Sequence, residues 1–175
     1  MKLITLVFMS FFVLSQQAFA LNKLPQGIIK QDGRVASSFK LKDIDGEPYD
    51  FESSKGKWVF VHFWATWCGP CRREIPAIQD ITKKFANSKG LEIVIINTAE
   101  SEDTIFSFLG LLAPDITPLM DDDGLVTEKW KPRGLPTTYF VDPKGKIRFM
   151  ALGGRHWHKN EYFEFLKMLE NDAIK

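Results

Sequence analysis

The sequence predicts one α/β domain, a mixed β-sheet with helices on both faces, and three stretches predict it. Lys57–Trp64 is an apolar run of strand length that passes directly into an amphipathic helical pattern beginning at Gly69. Leu91–Ile96 (LEIVII) is apolar throughout, as a parallel strand covered on both faces must be. Thr137–Val141 (TTYFV) and Lys146–Leu152 (KIRFMAL) flank Asp142-Pro143-Lys144-Gly145, the signature of an antiparallel hairpin. A strand–helix–strand unit, then a helix, then a hairpin and a closing helix builds a sheet with both kinds of strand pairing.

Residues 1–20 read as an export segment rather than part of the fold. Met1-Lys2 gives a positive start, Leu3–Leu14 an apolar core, and Ala18-Phe19-Ala20 a small-x-small cleavage site. The apolar run falls short of the ~20 residues of a comfortable membrane span, so cleavage is expected over retention as an anchor. No cysteine stands near the cleavage site to carry a lipid. Residues 21–33 are polar and punctuated by Pro25, Gly27 and Gly33, and are expected to form a flexible leader; residues 34–175 form the domain. The whole chain of 175 residues has a net charge of +1, and Lys2 is the only charge in the export segment. A mature chain so close to neutral argues against nucleic acid as a partner.

Phe39, Leu41 and Ile44, then Tyr49 and Phe51, flank Asp45-Gly46 as an N-terminal β-hairpin. In the helix that opens at Gly69, Ile75, Ile78, Ile81 and Phe85 recur at spacings of three and four; Pro76 inside it predicts a kink. Ser101 with Glu102 and Asp103 opens a second helix to about Leu112, followed by a short strand at Thr117–Met120 and a short helix at Gly124–Trp130. Asn160–Asn171, with Tyr162, Phe163, Phe165, Leu166 and Leu169 apolar, closes the chain as a helix.

The only two cysteines, Cys68 and Cys71, stand at the strand-to-helix junction. A cysteine at a helix N-terminus meets unpaired N–H groups and the positive end of the dipole, which favour a thiolate. The second lies one turn on, on the same face, and can close a short disulfide with the first. A structural staple would normally close a longer loop. A zinc site would need more ligands than the scattered His62, His156 and His158 supply. The motif therefore points to dithiol–disulfide exchange, with Cys68 as nucleophile and Cys71 as resolving thiol. Gly69 and Pro70 shape the turn and helix start, and Trp67 is placed to shield the site.

The stretch FWATWCGPC followed by REIP resembles the active-site segment of the thioredoxin superfamily, and the longer pattern resembles its secreted TlpA/ResA-type branch. The likeness spans about residues 34 to 170, with the hairpin and the α/β material between Asn97 and Met120 as that branch's additions to a thioredoxin fold. It implies a cis-proline at Pro136 opposite the cysteines, presenting the backbone of Leu135 to an extended substrate. It also implies that Glu74, three residues after Cys71, tunes thiol acidity and proton transfer. Thioredoxins place a buried acid six residues before the first cysteine, and here that position is His62; an inward imidazole can accept the Cys71 proton or support a thiolate. His156-Trp157-His158 follows a Gly-rich lead-in and reads as loop with surface histidines, so no metal and no cofactor are expected.

The resemblance implies a periplasmic reductase acting on disulfides of exported proteins, as in cytochrome c maturation. An exported dithiol must be recharged, which implies a membrane-embedded thiol reductase as electron donor. Competing readings are a thiol oxidase or isomerase of exported proteins, a peroxiredoxin-type peroxidase and a copper chaperone. The peroxidase pattern has Thr three residues before the reactive cysteine, where this chain has Ala65; copper carriers of this fold resemble CxxxC.

Overall fold

In a computed structural model of the chain, which describes residues 24–174, eight strands form one sheet and four α-helices accompany it. In chain order they are β1 (Ile28–Lys30), β2 (Lys40–Asp43), β3 (Pro48–Asp50), β4 (Trp58–Trp64), α1 (Gly69–Phe85), β5 (Leu91–Thr98), α2 (Glu102–Leu112), β6 (Leu119–Asp121), α3 (Leu125–Trp130), β7 (Thr137–Val141), β8 (Ile147–Leu152) and α4 (Asn160–Ala173). The sheet order is β1-β8-β7-β4-β5-β6-β2-β3, with β4 parallel to β5 and antiparallel to β7. This is the mixed sheet that the sequence predicts. The export segment read over residues 1–20 lies outside the described residues. No helix among the described residues is long and apolar enough to cross a membrane.

Strand β4 organises the core because all seven of its residues are buried and they alternate between two layers. Trp58, Phe60 and Trp64 join the layer that holds Ile75, Ile78, Ile81 of α1 and Phe165, Leu166 of α4. Val59, Val61 and Phe63 join the opposite layer, with Phe39, Phe51, Trp130 and Tyr139. A period of two therefore sends His62, between Phe60 and Trp64, toward α1. Strand parity is what turns one polar residue in a fully buried strand toward the cysteine helix.

The hairpin β2–β3 and the inserted strand β6 turn out to be one structure. Lys42 pairs with Met120 and Asp43 with Leu119, so β6 joins the hairpin to β5 and extends the sheet. The leader needs correction. Rather than remaining flexible, Ile28, Ile29 and Lys30 pair antiparallel with Ala151, Met150 and Phe149 of β8. Ile28 is buried in the α1 layer, and the Tyr162 hydroxyl donates to Gln26 O at 2.8 Å. Two apolar residues are too few for a sequence period; the partner strand, distant in sequence, makes this strand.

Candidate functional site

The chain leaves β4 through a tight turn in which Cys68 N–H donates to Ala65 O at 3.2 Å, and α1 starts immediately after it. Cys68 is the N-cap: its backbone is extended, with φ −81° and ψ 106°, and its Sγ accepts the Cys71 N–H at 3.3 Å. The sulfur thus takes the place of the oxygen that usually satisfies a free first-turn amide. Gly69 and Pro70 occupy the first helical positions, where the missing proline N–H leaves no bond unmade. α1 continues unbroken through Pro76.

The two sulfurs are joined as a disulfide, with Cα atoms 5.2 Å apart. Cys68 is 5% exposed and Cys71 is fully buried, so Cys68 is the cysteine nearer the surface. Trp67, just before Cys68, is 70% exposed.

Pro136 follows Leu135 through a cis peptide bond. Strand β7 pairs Thr137 with Phe63, so Leu135-Pro136 continues alongside the end of β4, where the cysteine turn begins. The loop after β8 ties the two segments together. Gly153 N–H donates to Pro136 O at 2.8 Å, and a Cβ on Gly154 would stand 3.3 Å from Pro70 Cβ and 3.4 Å from Pro70 O. Glycine permits that approach.

Behind the dithiol lies a buried polar cluster. Glu74 shares the inward face of α1 with Cys71, Ile75 and Ile78, and only 4% of it is exposed. A solvated first-turn glutamate is therefore not what this position holds. Its Oε2 accepts the Arg155 backbone N–H at 2.7 Å and the Trp157 Nε1–H at 3.0 Å. Its Oε1 faces His62 Nε2 at 3.3 Å, and neither of those atoms has another hydrogen-bond partner among the described residues. His62 Nδ1 lies 2.9 Å from Thr138 Oγ1 on β7, a contact in which either atom can donate depending on the tautomer. His62 and Glu74, singled out separately in the sequence, are thus one unit. A cleft of about 300 Å³ lined by Pro70, Arg73, Glu74, Gly154, Arg155 and His156 connects this cluster to the surface beside the cysteine turn.

Sequence reasoning missed Thr138, Arg155 and Trp157. The Gly-Gly-Arg-His-Trp-His stretch does form a loop with His156 and His158 exposed, yet Trp157 is buried in it. A tryptophan between two exposed polar residues, after two glycines, was the available signal. The guanidinium of Arg155 donates to Leu152 O at 2.7 Å and to Gly27 O at 3.4 Å, pinning the same loop to the residues before β1. Gly27 has φ +77°, and a Cβ there would come within 2.5 Å of that guanidinium.

The arrangement supports two-electron exchange: a cysteine near the surface at a helix N-terminus, a second cysteine buried one turn on, and a buried acid–imidazole pair whose Glu74 shares the helix face of Cys71. Comparisons agree. The AhpC/TSA family matches residues 33–150. The chain is 35% identical over 122 residues to the thiol-disulfide oxidoreductase ResA of Bacillus subtilis, covering 70% of this chain and 68% of that protein. It is 32% identical over 142 residues to ResA of Halalkalibacterium halodurans, covering 81% and 78%. A crystal structure of a thiol:disulfide interchange protein of the thioredoxin family from Chlorobium tepidum superposes with a TM-score of 0.68 at 28% identity, covering 81% of this chain and 99% of that one.

Proposed function

The chain belongs to the AhpC/TSA family as a thioredoxin-fold thiol-disulfide oxidoreductase of ResA type, and from that premise we propose that it reduces disulfides of selected exported proteins in the periplasm. The observation that carries the reading is the placement of the two joined cysteines at the start of α1, Cys68 as the N-cap nearer the surface and Cys71 buried one turn on.

In the reduced protein the Cys68 thiolate attacks one sulfur of a substrate disulfide. A Cys68–substrate bond forms, the substrate S–S bond breaks, and its other sulfur leaves as a thiolate. Cys71 then gives up its proton and attacks Cys68 Sγ, forming the Cys68–Cys71 disulfide and releasing the second substrate thiol. Two electrons have passed to the substrate. In this reading the Glu74–His62 pair receives the Cys71 proton, because it is buried on the same face of α1 and reaches solvent along the cleft beside Pro70. Leu135, ahead of the cis bond, offers its backbone to an extended substrate segment, and exposed Trp67 contributes apolar contact.

The substrates include apocytochromes c, and a membrane-embedded thiol reductase returns the protein to the dithiol form. The Gly-Pro dipeptide between the cysteines, shared with reducing thioredoxins, supports this direction of flow. Cys71→Ala, expressed with its own export segment, tests the reading. Mixed disulfides on Cys68 should accumulate, and mass spectrometry should find a short set containing apocytochromes and a membrane reductase. A broad spread of exported proteins, or a reduction potential above about −150 mV, would point to an oxidase or isomerase instead.

A further inference from the structure

We propose that Glu100 is a positioning residue for the exchange reaction: it latches the Ala65–Cys68 turn so that Cys68 stays at the N-terminus of α1 when the disulfide is open. Its carboxylate accepts three hydrogen bonds. Thr66 N–H donates to Oε2 at 2.7 Å, the Thr66 hydroxyl donates to Oε1, and Asn97 Nδ2 donates to Oε2 at 2.8 Å. Two of these come from the residue two places before the nucleophile. The third comes from a fully buried residue on β5 that pairs with Trp64, the last residue of β4. The carboxylate therefore bridges the carboxyl ends of two neighbouring parallel strands, at the point where the cysteine turn departs.

The backbone is bent to put it there. Ala99 has φ +55°, a left-handed conformation that costs a residue with a Cβ about 1 kcal/mol or more. Its N–H donates to Asp121 O at 3.0 Å on β6, so the bend is fixed from outside the turn. The next residue is Glu100. A strained alanine followed by a carboxylate with every oxygen engaged is a built contact rather than a surface coincidence.

The consequence differs between the two redox states. In the disulfide, Cys71 itself holds Cys68 in place through a covalent bond. In the dithiol that bond is gone, and the turn Ala65–Cys68 alone keeps Cys68 Sγ over the Cys71 N–H and the positive end of the helix. Glu100 acts through Thr66 to preserve that placement, and so to keep the thiol acidic and reactive.

This inference rests on Cys68 being the nucleophile, but its test needs no physiological substrate. The pH dependence of Cys68 alkylation in the fully reduced protein reads the acidity of that thiol directly. Glu100→Ala should raise the Cys68 pKa and slow alkylation at neutral pH about tenfold. Glu100→Gln, which keeps one acceptor oxygen, should recover part of the loss, and Thr66→Val should fall between the two. An unchanged Cys68 pKa in folded Glu100→Ala overturns the proposal. So does a lowered one, which would mean that the carboxylate acts only as a nearby negative charge. Should Glu100→Ala fail to fold, Thr66→Val decides alone, since it removes one hydroxyl and leaves the carboxylate in place. A broad substrate set in the trapping experiment would change the proposed function and leave this result standing.

Discussion

Glu74 and Glu100 are both held by donors near the same pair of sulfurs, yet they are held in different ways. Glu74 rises from the cysteine helix into the core layer and engages one oxygen with two fixed donors, Arg155 N–H and Trp157 Nε1–H. Its other oxygen, among the described residues, faces only His62, at 3.3 Å. Glu100 comes from the loop after β5, is partly open to solvent, and has both oxygens taken by neutral donors. A carboxylate with both oxygens engaged by fixed amides and a hydroxyl suits holding a shape. One that leaves an oxygen against an imidazole suits exchanging a proton. The same functional group serves two ends, and its partners decide which.

The sharpest way to break that comparison is to remove each carboxylate in turn and measure unfolding in urea. Glu74→Ala strands a buried indole N–H, a backbone N–H and an imidazole, and should cost about 3 kcal/mol. Glu100→Ala should cost nearer about 1 kcal/mol, because Glu100 is only half-buried and lines an open cleft, so solvent can enter the space its carboxylate leaves. Equal losses would mean that both are simply structural.

Next in size is the proton. His62→Asn keeps a polar side chain opposite Thr138 and Glu74 but removes the imidazole. The lifetime of the Cys68 mixed disulfide, followed by quenched-flow after mixing with a model disulfide, should lengthen by roughly 10²-fold at neutral pH, while the first attack by Cys68 is little changed. An equal slowing of both steps would mean that His62 supports the site as a whole and does not serve Cys71 in particular.

The smallest effect comes from a third covered ionisable group, remote from the dithiol. The Tyr49 hydroxyl lies 2.7 Å from Ser54 Oγ in the hairpin region, and burial pushes its pKa well above the ordinary value of 10.0. The folded chain then holds a proton that the unfolded chain releases more readily. The associated stability is complete below about pH 10 and falls as the pH climbs toward the folded value. Tyr49→Phe should flatten that alkaline decline in unfolding experiments without altering exchange at neutral pH. A change in exchange would tie the hairpin to the site.

What was legible in the sequence was local. The cysteine pair, the strand before it and the helix after it lie within one short stretch, and the likeness of that stretch to the thioredoxin active-site segment marks Glu74, which the structure places on the inward face with Cys71 and Ile78. His62 was legible in the same stretch, and strand parity sets its direction. The partners of those residues were not. Trp157 reaches Glu74 across 83 positions of chain, and Glu100 reaches Thr66 across 34. Neither belongs to a periodic pattern that would mark it. The same limit explains β1, where Ile28 and Ile29 acquire a strand only by meeting β8.

That short strand does more than lengthen the sheet. The outermost ladder on its side would otherwise be β8, whose unpaired N–H and C=O groups would offer a template to another chain. Three residues, with Lys30 at their end, close that edge, and Gly27 just ahead of them accepts from the Arg155 guanidinium. Trimming the chain beyond Lys30 would therefore do two things together: open a sticky margin prone to self-association, and loosen the loop that seats the Glu74 carboxylate. A few residues ahead of the first long strand would then guard both the margin of the sheet and the seat of the Glu74 carboxylate.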